Sequence, residues 1–289
     1  MLTLKVPPAP GQSRYNRGMV RTFKVVGTSL EELCVHSDMA DASRSLPHGS
    51  YTSLRTYERT RVLRLAQHAD RLSRSLPGMP PLDADGLRRA VAAALEATRC
   101  AESRLRVTFA PPELYVSVEP FEPLPASLYE QGIRCVTLDM HRNNPGAKDT
   151  HFIDTAARSY ATLPPGAGEG LMTDADSSIL EGLSSNFFAV LHGALRTEDA
   201  RVLPGVTRSI LLELAQGLLP LRLEAVSRTQ IREVSEAFVT SVSREILPVV
   251  AIDGTALGDG RPGPVTRGLM RRFADLVARE AEALPVEGS

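Results

Sequence analysis

Pro123 and Pro125, in the segment FEPLPAS at residues 121–127 near the middle of the 289-residue chain, constrain the fold more than any other feature. A proline has no amide hydrogen and a fixed φ, so two in close succession interrupt helix and sheet alike and favour an extended connector. Short strand-like and helix-like runs occur on both sides of it. The pattern predicts an α+β chain in two domains: a small N-terminal domain at 1–120, a linker at 121–128 and a larger C-terminal domain at 129–289.

Before the linker, VRTFKVV (20–26), YTSLRTY (51–57) and RVLRL (61–65) read as strands from their β-branched and aromatic content. Pro7, Pro8 and Pro10 break any earlier element. AQHADRLSRSL (66–76) continues a helical spacing of Leu65, Ala69, Leu72 and Leu76, with PGMPP (77–81) as its stop. Asp83 can cap a second helix to about Arg99, whose Leu87, Val91, Ala94 and Leu95 share a face. RLRVTF (104–109) and ELYVSV (113–118) flank APP as a hairpin. Beyond the linker, strands at 132–139, 170–174, 186–191, 236–241 and 246–253 alternate with helices at 150–163, after LPG at 203–205, and from Val265 to Ala283.

The charge balance narrows the function classes. With 33 basic and 34 acidic side chains the net charge is −1, far from the cationic surplus that nucleic acid or an anionic membrane selects. No apolar run reaches the ~20 residues of a spanning helix, and MLTLKVPPAPGQSRY lacks the apolar centre of a signal peptide. Cys34, Cys100 and Cys135 are odd in number and scattered, the pattern of reduced thiols in a cytoplasmic protein. GxSxG, HExxH, CxxC and GxxxxGK are absent. His36, His48, His68, His141, His151 and His192 are dispersed without ligand spacing, so no metal is expected. The expected class is a soluble intracellular enzyme.

Of the 33 basic residues only Lys5, Lys24 and Lys148 are lysines. Arginine keeps its proton in a protein whereas a lysine amine can lose it and attack, so Lys148 is a candidate nucleophile or a leftover surface charge. In LPGVTR (203–208), Gly205 lets a ligand approach the backbone while Val206 and Thr207 open a helix, with Thr207 as the expected cap. That arrangement suits an anion, and it is also an ordinary turn before a helix. Glu181 in EGLSSN could meet a cationic group or be a plain loop acid; Arg71, read alone, is a solvated charge. The glycines of PPGAGEG (164–170) read as a tight loop, since no strand precedes them and no helix opens there.

Taken in order, YTSLRTY, LAQHADRL, NNPGAKDT, ILEGLSSNFFAV, LPGVTR, EAFVTSVSREILPV and PGPVT resemble the fold-type IV, pyridoxal-phosphate-dependent aminotransferases (class IV). That family includes branched-chain aminotransferases, D-amino acid aminotransferases and aminodeoxychorismate lyases, and the resemblance runs from about Tyr51 to Val265. It implies a two-domain fold with pyridoxal 5′-phosphate between the domains, a homodimer, and transfer of an amino group between an amino acid or amine and a 2-keto acid. Lys148 would form a Schiff base with the cofactor aldehyde and move protons at the substrate α-carbon. Glu181 would face the pyridine nitrogen. Arg71, the Val206 and Thr207 amides and the Thr207 hydroxyl would hold the phosphate, beside Ser241 and Val242; Ser184, Ser185 and Asn186 would line the cofactor side of their loop. Ser243, Thr52, Arg55, Arg106 and His151 are the substrate-side candidates.

The sequence departs from the family pattern in four places. Ile153 stands where branched-chain enzymes commonly carry a Tyr, and Val242 where a hydroxyl is common. No strand–Asn-Gly–strand opening is visible in the first fifty residues. Arg104 and Arg106 replace the Arg-x-His of D-amino acid enzymes. Two alternatives remain open: an aminodeoxychorismate lyase releasing 4-aminobenzoate and pyruvate, and a binding protein that keeps the fold without catalysis.

Overall fold

A computed structural model describes residues 18–76, 78 and 82–285. Pro7, Pro8 and Pro10, and all of PGMPP except Gly78, lie outside the described residues. The first half comprises β1 (Val20–Val26), β2 (Ser29–His36), α1 (Met39–Arg44), β3 (Ser50–Arg55), β4 (Arg61–Val62), α2 (Leu65–Arg74), α3 (Ala84–Thr98), β5 (Ser103–Ala110) and β6 (Glu113–Pro120). Five of these strands form an antiparallel sheet in the order β2-β1-β6-β5-β3. Strand alternation sends Phe23, Leu54, Leu105, Val107 and Val116 to one face, where Leu65, Ala69 and Leu72 of α2 and Leu87, Val91 and Leu95 of α3 cover them. Each large apolar side chain buried there contributes about 1.5–3 kcal/mol.

The expected hairpin at 104–118 is present as β5–β6, and Asp83 caps α3 by accepting from the Asp85 and Gly86 amides. Three expectations fall short. RVLRL is a strand only at Arg61–Val62, and YTSLRTY only to Arg55. The missing opening hairpin exists as β1–β2, turning at Gly27 and Thr28 instead of Asn-Gly. Its second strand was hidden because SLEELCVH lies at the sheet edge, mostly exposed, with no clean alternation to read.

The second half contains α4 (Ala126–Gln131), β7 (Ile133–Asp139), α5 (His151–Ala161), β8 (Ala167–Thr173), β9 (Ser178–Gly182), β10 (Asn186–Leu191), β11 (Ala194–Arg196), α6 (Val206–Ala215), β12 (Leu221–Arg222) and β13 (Val226–Ser227). It continues with β14 (Val234–Ser241), β15 (Glu245–Ile252), β16 (Thr255–Ala256), α7 (Pro264–Glu280) and β17 (Glu282–Ala283). The sheet path β10-β14-β15-β7-β8-β9 returns to β10 through the Asn186–Glu181 pair, so six strands close on themselves around Cys135, Leu171, Phe187, Val239 and Leu247. Outside them α6 and α7 pack on Phe188 and Phe238, whose rings stack at 5.2 Å.

The PPGAGEG segment is not the loop expected. Only its first residues turn; Ala167–Thr173 is a fully buried strand. A Cβ at Gly168 would stand 2.8 Å from Ile133 and one at Gly170 2.6 Å from Leu138, so these glycines admit close packing against β7. At the far end β17 pairs with β4, and Leu284 joins the core of the first half. Among the described residues no helix is long and apolar enough to cross a membrane.

Candidate active site

Lys148 lies in the connection between β7 and α5, fixed by its backbone. Its N–H donates to Ser75 Oγ at 3.1 Å, and its carbonyl accepts from the Tyr51 N–H at 2.8 Å. The lysine of the second half is therefore stitched to β3 of the first. Its Nζ lies 4.8 Å from the Tyr51 ring centroid, and the Arg106 guanidinium lies at the same distance from that ring. Burial, together with the charges of Arg71, Arg142 and Arg106, holds the Lys148 ammonium well below the usual lysine range. Such an amine is uncharged, and nucleophilic, at a pH where an exposed lysine is not.

Glu181 sits at the barrel closure, 2% exposed. One oxygen accepts from Arg142 Nε at 2.8 Å; the other accepts from the Leu203 N–H at 3.2 Å and from Asn186 Nδ2 at 3.3 Å. Burial pushes its carboxyl above the ordinary value, against the pull of Arg142. Asn186 also donates to the Leu203 carbonyl at 2.8 Å, tying EGLSSN to LPGVTR. A Cβ at Gly205 would stand 2.3 Å from Asn186 Oδ1, which is why glycine occupies that position.

The helix that follows starts two residues earlier than expected. Gly205, not Thr207, is the cap; Val206 is already helical, and no side chain satisfies the start. By contrast, Glu236 fills the start of α7, accepting from the Val265 and Thr266 amides. The open end of α6 faces a cleft that Val206 and Thr207 line together with Val242, His68 and Arg55. Arg71 belongs to the same half-site: its Nη2 donates to the Thr52 hydroxyl, while its Nε is buried without a partner. Thr52 Oγ1 also meets His68 Nδ1 at 2.7 Å. Burial and the Arg71 and Lys148 charges hold His68 neutral, well below its usual pKa, and burial brings Arg71 down to about 10, still protonated at neutral pH.

Ser184, Ser185 and Ser241 converge on a buried ion pair. Glu169 accepts from Arg244 Nη2 at 2.7 Å, Ser185 Oγ at 2.8 Å and the Tyr160 hydroxyl at 2.6 Å. Arg244 also donates to Ser184 Oγ at 2.7 Å and to Ser241 Oγ at 3.2 Å. Val242 and Ser243 occupy the turn between Ser241 and Arg244.

The substrate-side candidates are dispersed. Arg106 is held by α1, through the Met39 carbonyl at 3.2 Å and the Ser43 hydroxyl, and its Nε is buried without a partner. Arg55 lies over the Tyr57 and Phe121 rings, each at 4.4 Å, and pairs with Glu245 at 3.1 Å. Thr52 is taken up by Arg71 and His68 as above. His151 is exposed and stacks on His48 at 4.1 Å. Ile153 leaves α5 without a hydroxyl there; the Tyr160 hydroxyl, on the same helix, points into the Glu169 cluster.

Sequence reasoning missed Tyr51, His68, Arg142, Tyr160, Glu169 and Arg244. Four of the six lie inside segments singled out for other residues: Tyr51 in YTSLRTY, His68 in LAQHADRL, Glu169 in PPGAGEG and Arg244 in EAFVTSVSREILPV; Arg142 immediately precedes NNPGAKDT.

Residues 49–252 match the family model for amino-transferase class IV. A branched-chain-amino-acid aminotransferase of Escherichia coli K12 is 31% identical over 168 residues, covering 55% of this chain and 54% of that protein. One from Pseudomonas aeruginosa is 30% identical over 162 residues, covering 53% of each. The match thus spans about half the length of these relatives. In fold, the crystal structure of the Escherichia coli branched-chain amino acid aminotransferase superposes with a TM-score of 0.72 at 23% identity, covering 92% of this chain and 96% of the other. The branched-chain aminotransferase of the thermophilic archaeon Thermoproteus uzoniensis, with norvaline, gives 0.73 at 24% identity, covering 92% and 97%. With residues 49–252 matched and the same fold around them, the chain belongs to the class IV aminotransferase family.

Proposed function

We propose that the protein is a pyridoxal-phosphate-dependent aminotransferase that moves an amino group between an amino acid or amine and a 2-keto acid. The observation that carries this is Lys148 with its depressed ammonium beside a buried Glu181 and a buried Arg71. The residues fit the cofactor. The orphaned Arg71 Nε and the uncapped amides at Val206 and Thr207 are donors awaiting a phosphate. Asn186 and Ser185 hold the loop that presents Glu181, the acid for a pyridine nitrogen. Ser241 and Val242 would stand at the phosphate side of the cleft, with Ser184 behind them.

When bound, the cofactor supplies an aldehyde for an amine to join and a ring that withdraws electrons from the substrate α-carbon. The protein supplies the rest. Lys148 Nζ, its ammonium disfavoured by burial and the neighbouring arginines, would take the α-carbon proton and deliver it to the carbon that carried the cofactor aldehyde. Glu181, bonded by Arg142 Nε at 2.8 Å, would face a protonated ring nitrogen and accept from it. Arg106, with a free Nε beside Lys148, binds a substrate carboxylate; Ser243, Thr52, Arg55 and His151 complete the substrate side in this reading. Two half-reactions follow: one donor leaves as a keto acid, and a second keto acid takes up the nitrogen.

The reading includes a cytoplasmic homodimer, domains at 1–120 and 129–289, and a linker at 121–128. The two larger sheets, one built before the linker and one after it, support the division, while α4 starts within the linker at Ala126 and β17 returns to pair with β4; the three unpaired cysteines fit a reducing compartment. The test is to incubate the purified protein with pyridoxal 5′-phosphate, reduce with borohydride, map the modified peptide and assay keto-acid formation from amino donors. The cofactor fixed on Lys148 and a keto acid formed from a donor are the expected results. A colourless protein with Lys148 unmodified overturns the proposal.

A further inference from the structure

Away from that site, the edge strand β2 carries a nucleophile and a base at hydrogen-bonding distance. Cys34 and His36 are two residues apart and leave the same face of the strand, with Cys34 Sγ 2.9 Å from His36 Nε2. Ser45, which ends α1, places its Oγ 3.0 Å from the same nitrogen and 3.9 Å from the sulfur. The ladder slips between Thr22 and Phe23, inserting one extra residue into β2 just before Cys34. Thiol and imidazole are both half-exposed.

We propose that Cys34 is a site of covalent modification that forms a mixed disulfide with a low-molecular-weight disulfide, His36 acting as its base. Cys34 gives its proton to His36 Nε2, and the thiolate attacks one sulfur of the incoming disulfide. A Cys34–sulfur bond forms as the old S–S bond breaks, and the departing thiolate recovers the proton from the imidazolium. One disulfide enters, and one mixed disulfide and one thiol result. Ser45 stabilises the intermediate ion pair: its own proton goes to the Ala42 carbonyl at 2.8 Å, which leaves its oxygen to accept the new Nε2–H. The added group lands against α1, the helix whose Met39 and Ser43 hold Arg106.

The chain carries its own controls. Cys100 is also half-exposed, with the Thr98 carbonyl at 3.8 Å and the Arg21 charge nearby, and among the described residues no imidazole hydrogen-bonds to it. Cys135 is 1% exposed inside the barrel. This proposal does not depend on the aminotransferase reading, and its test needs no turnover. The intact protein is exposed to glutathione disulfide, and the mass gain at each cysteine is followed by peptide mass spectrometry. Cys34 is expected to react about tenfold or more faster than Cys100, with Cys135 unmodified. His36→Asn is expected to bring Cys34 down to the Cys100 rate without changing Cys100 itself. Ser45→Ala, an exposed change at a helix end, is expected to slow Cys34 several-fold. Equal rates at Cys34 and Cys100, or a Cys34 rate untouched by both substitutions, overturns the proposal.

Discussion

Glu169 meets Arg244 at 2.7 Å in a setting where the carboxylate has no exposure at all, and this one contact joins two loops that carry candidate site residues. Ser184 and Ser185 reach it from one side and Ser241 from the other. Removing one member of a buried pair strands the other charge, at a cost of about 3–5 kcal/mol. Arg244→Met is therefore expected to lower both the melting temperature and the affinity for pyridoxal 5′-phosphate. Arg244→Lys, which keeps the charge without the fork, is expected to recover part of each. Thermal denaturation of the cofactor-free protein beside a fluorescence titration checks this; unchanged affinity alongside a lowered melting temperature would limit the pair to stability.

Gly205→Ala drives a methyl group into Asn186 Oδ1. The side chain must turn away, and its bond to Glu181 goes with it. Hydrogen bonds to charged groups contribute about 1.5–3 kcal/mol, so cofactor affinity is expected to fall about 10–100-fold. Equilibrium dialysis against pyridoxal 5′-phosphate measures the loss.

Arg71→Met removes the partnerless Nε, the donor proposed for the cofactor phosphate. A rise of about 10–100-fold in the cofactor dissociation constant is expected, with Arg71→Lys in between because an ammonium is a point charge without the fork. Inorganic phosphate is expected to compete with the cofactor in the native protein and lose that effect in Arg71→Met.

Lys148 gives a pH signature whose sign is fixed. Its folded-state pKa lies well below the ordinary lysine value, so the unfolded chain binds the extra proton. Stability of the cofactor-free protein is therefore expected to rise with pH until the unfolded pKa of about 10.4 is reached. Lys148→Met removes that proton uptake. It is expected to raise the melting temperature near neutral pH by about 2–4 °C per kcal/mol gained, the advantage fading as pH climbs. Calorimetry of both proteins across that range decides it, and parallel curves would contradict a depressed amine.

What the sequence disclosed and what it withheld have different physical roots. Leu65, Ala69 and Leu72 follow a helical period because α2 packs one face on a sheet, so that helix was legible. The strand Ala167–Thr173 was legible only in its second half, where 170–174 read as strand; its start was not, because Gly168 and Gly170 are there for close packing against Ile133 and Leu138, and contacts across strands leave no local period. Lys148, Glu181 and Arg71 stood out as rare types or within ordered motifs. Arg244 did not: in a chain whose positive charge is nearly all arginine, nothing local separates a buried arginine from a solvated one. Its importance comes from Glu169, 75 positions away, which only folding brings to it.

The pairing of β17 with β4 turns the stretch from Arg61 to Ala283 into a closed circuit. Arg61 reaches the Ala278 and Ala281 carbonyls, Arg88 binds Glu282, and Leu284 is buried in the core of the first half. Neither core then has a free boundary at which to fray while the other stays whole. Heat is expected to melt the two in one cooperative transition, and the amides of β4, though a strand of only two residues, to exchange with solvent as slowly as those of the cores that its partner strand holds together.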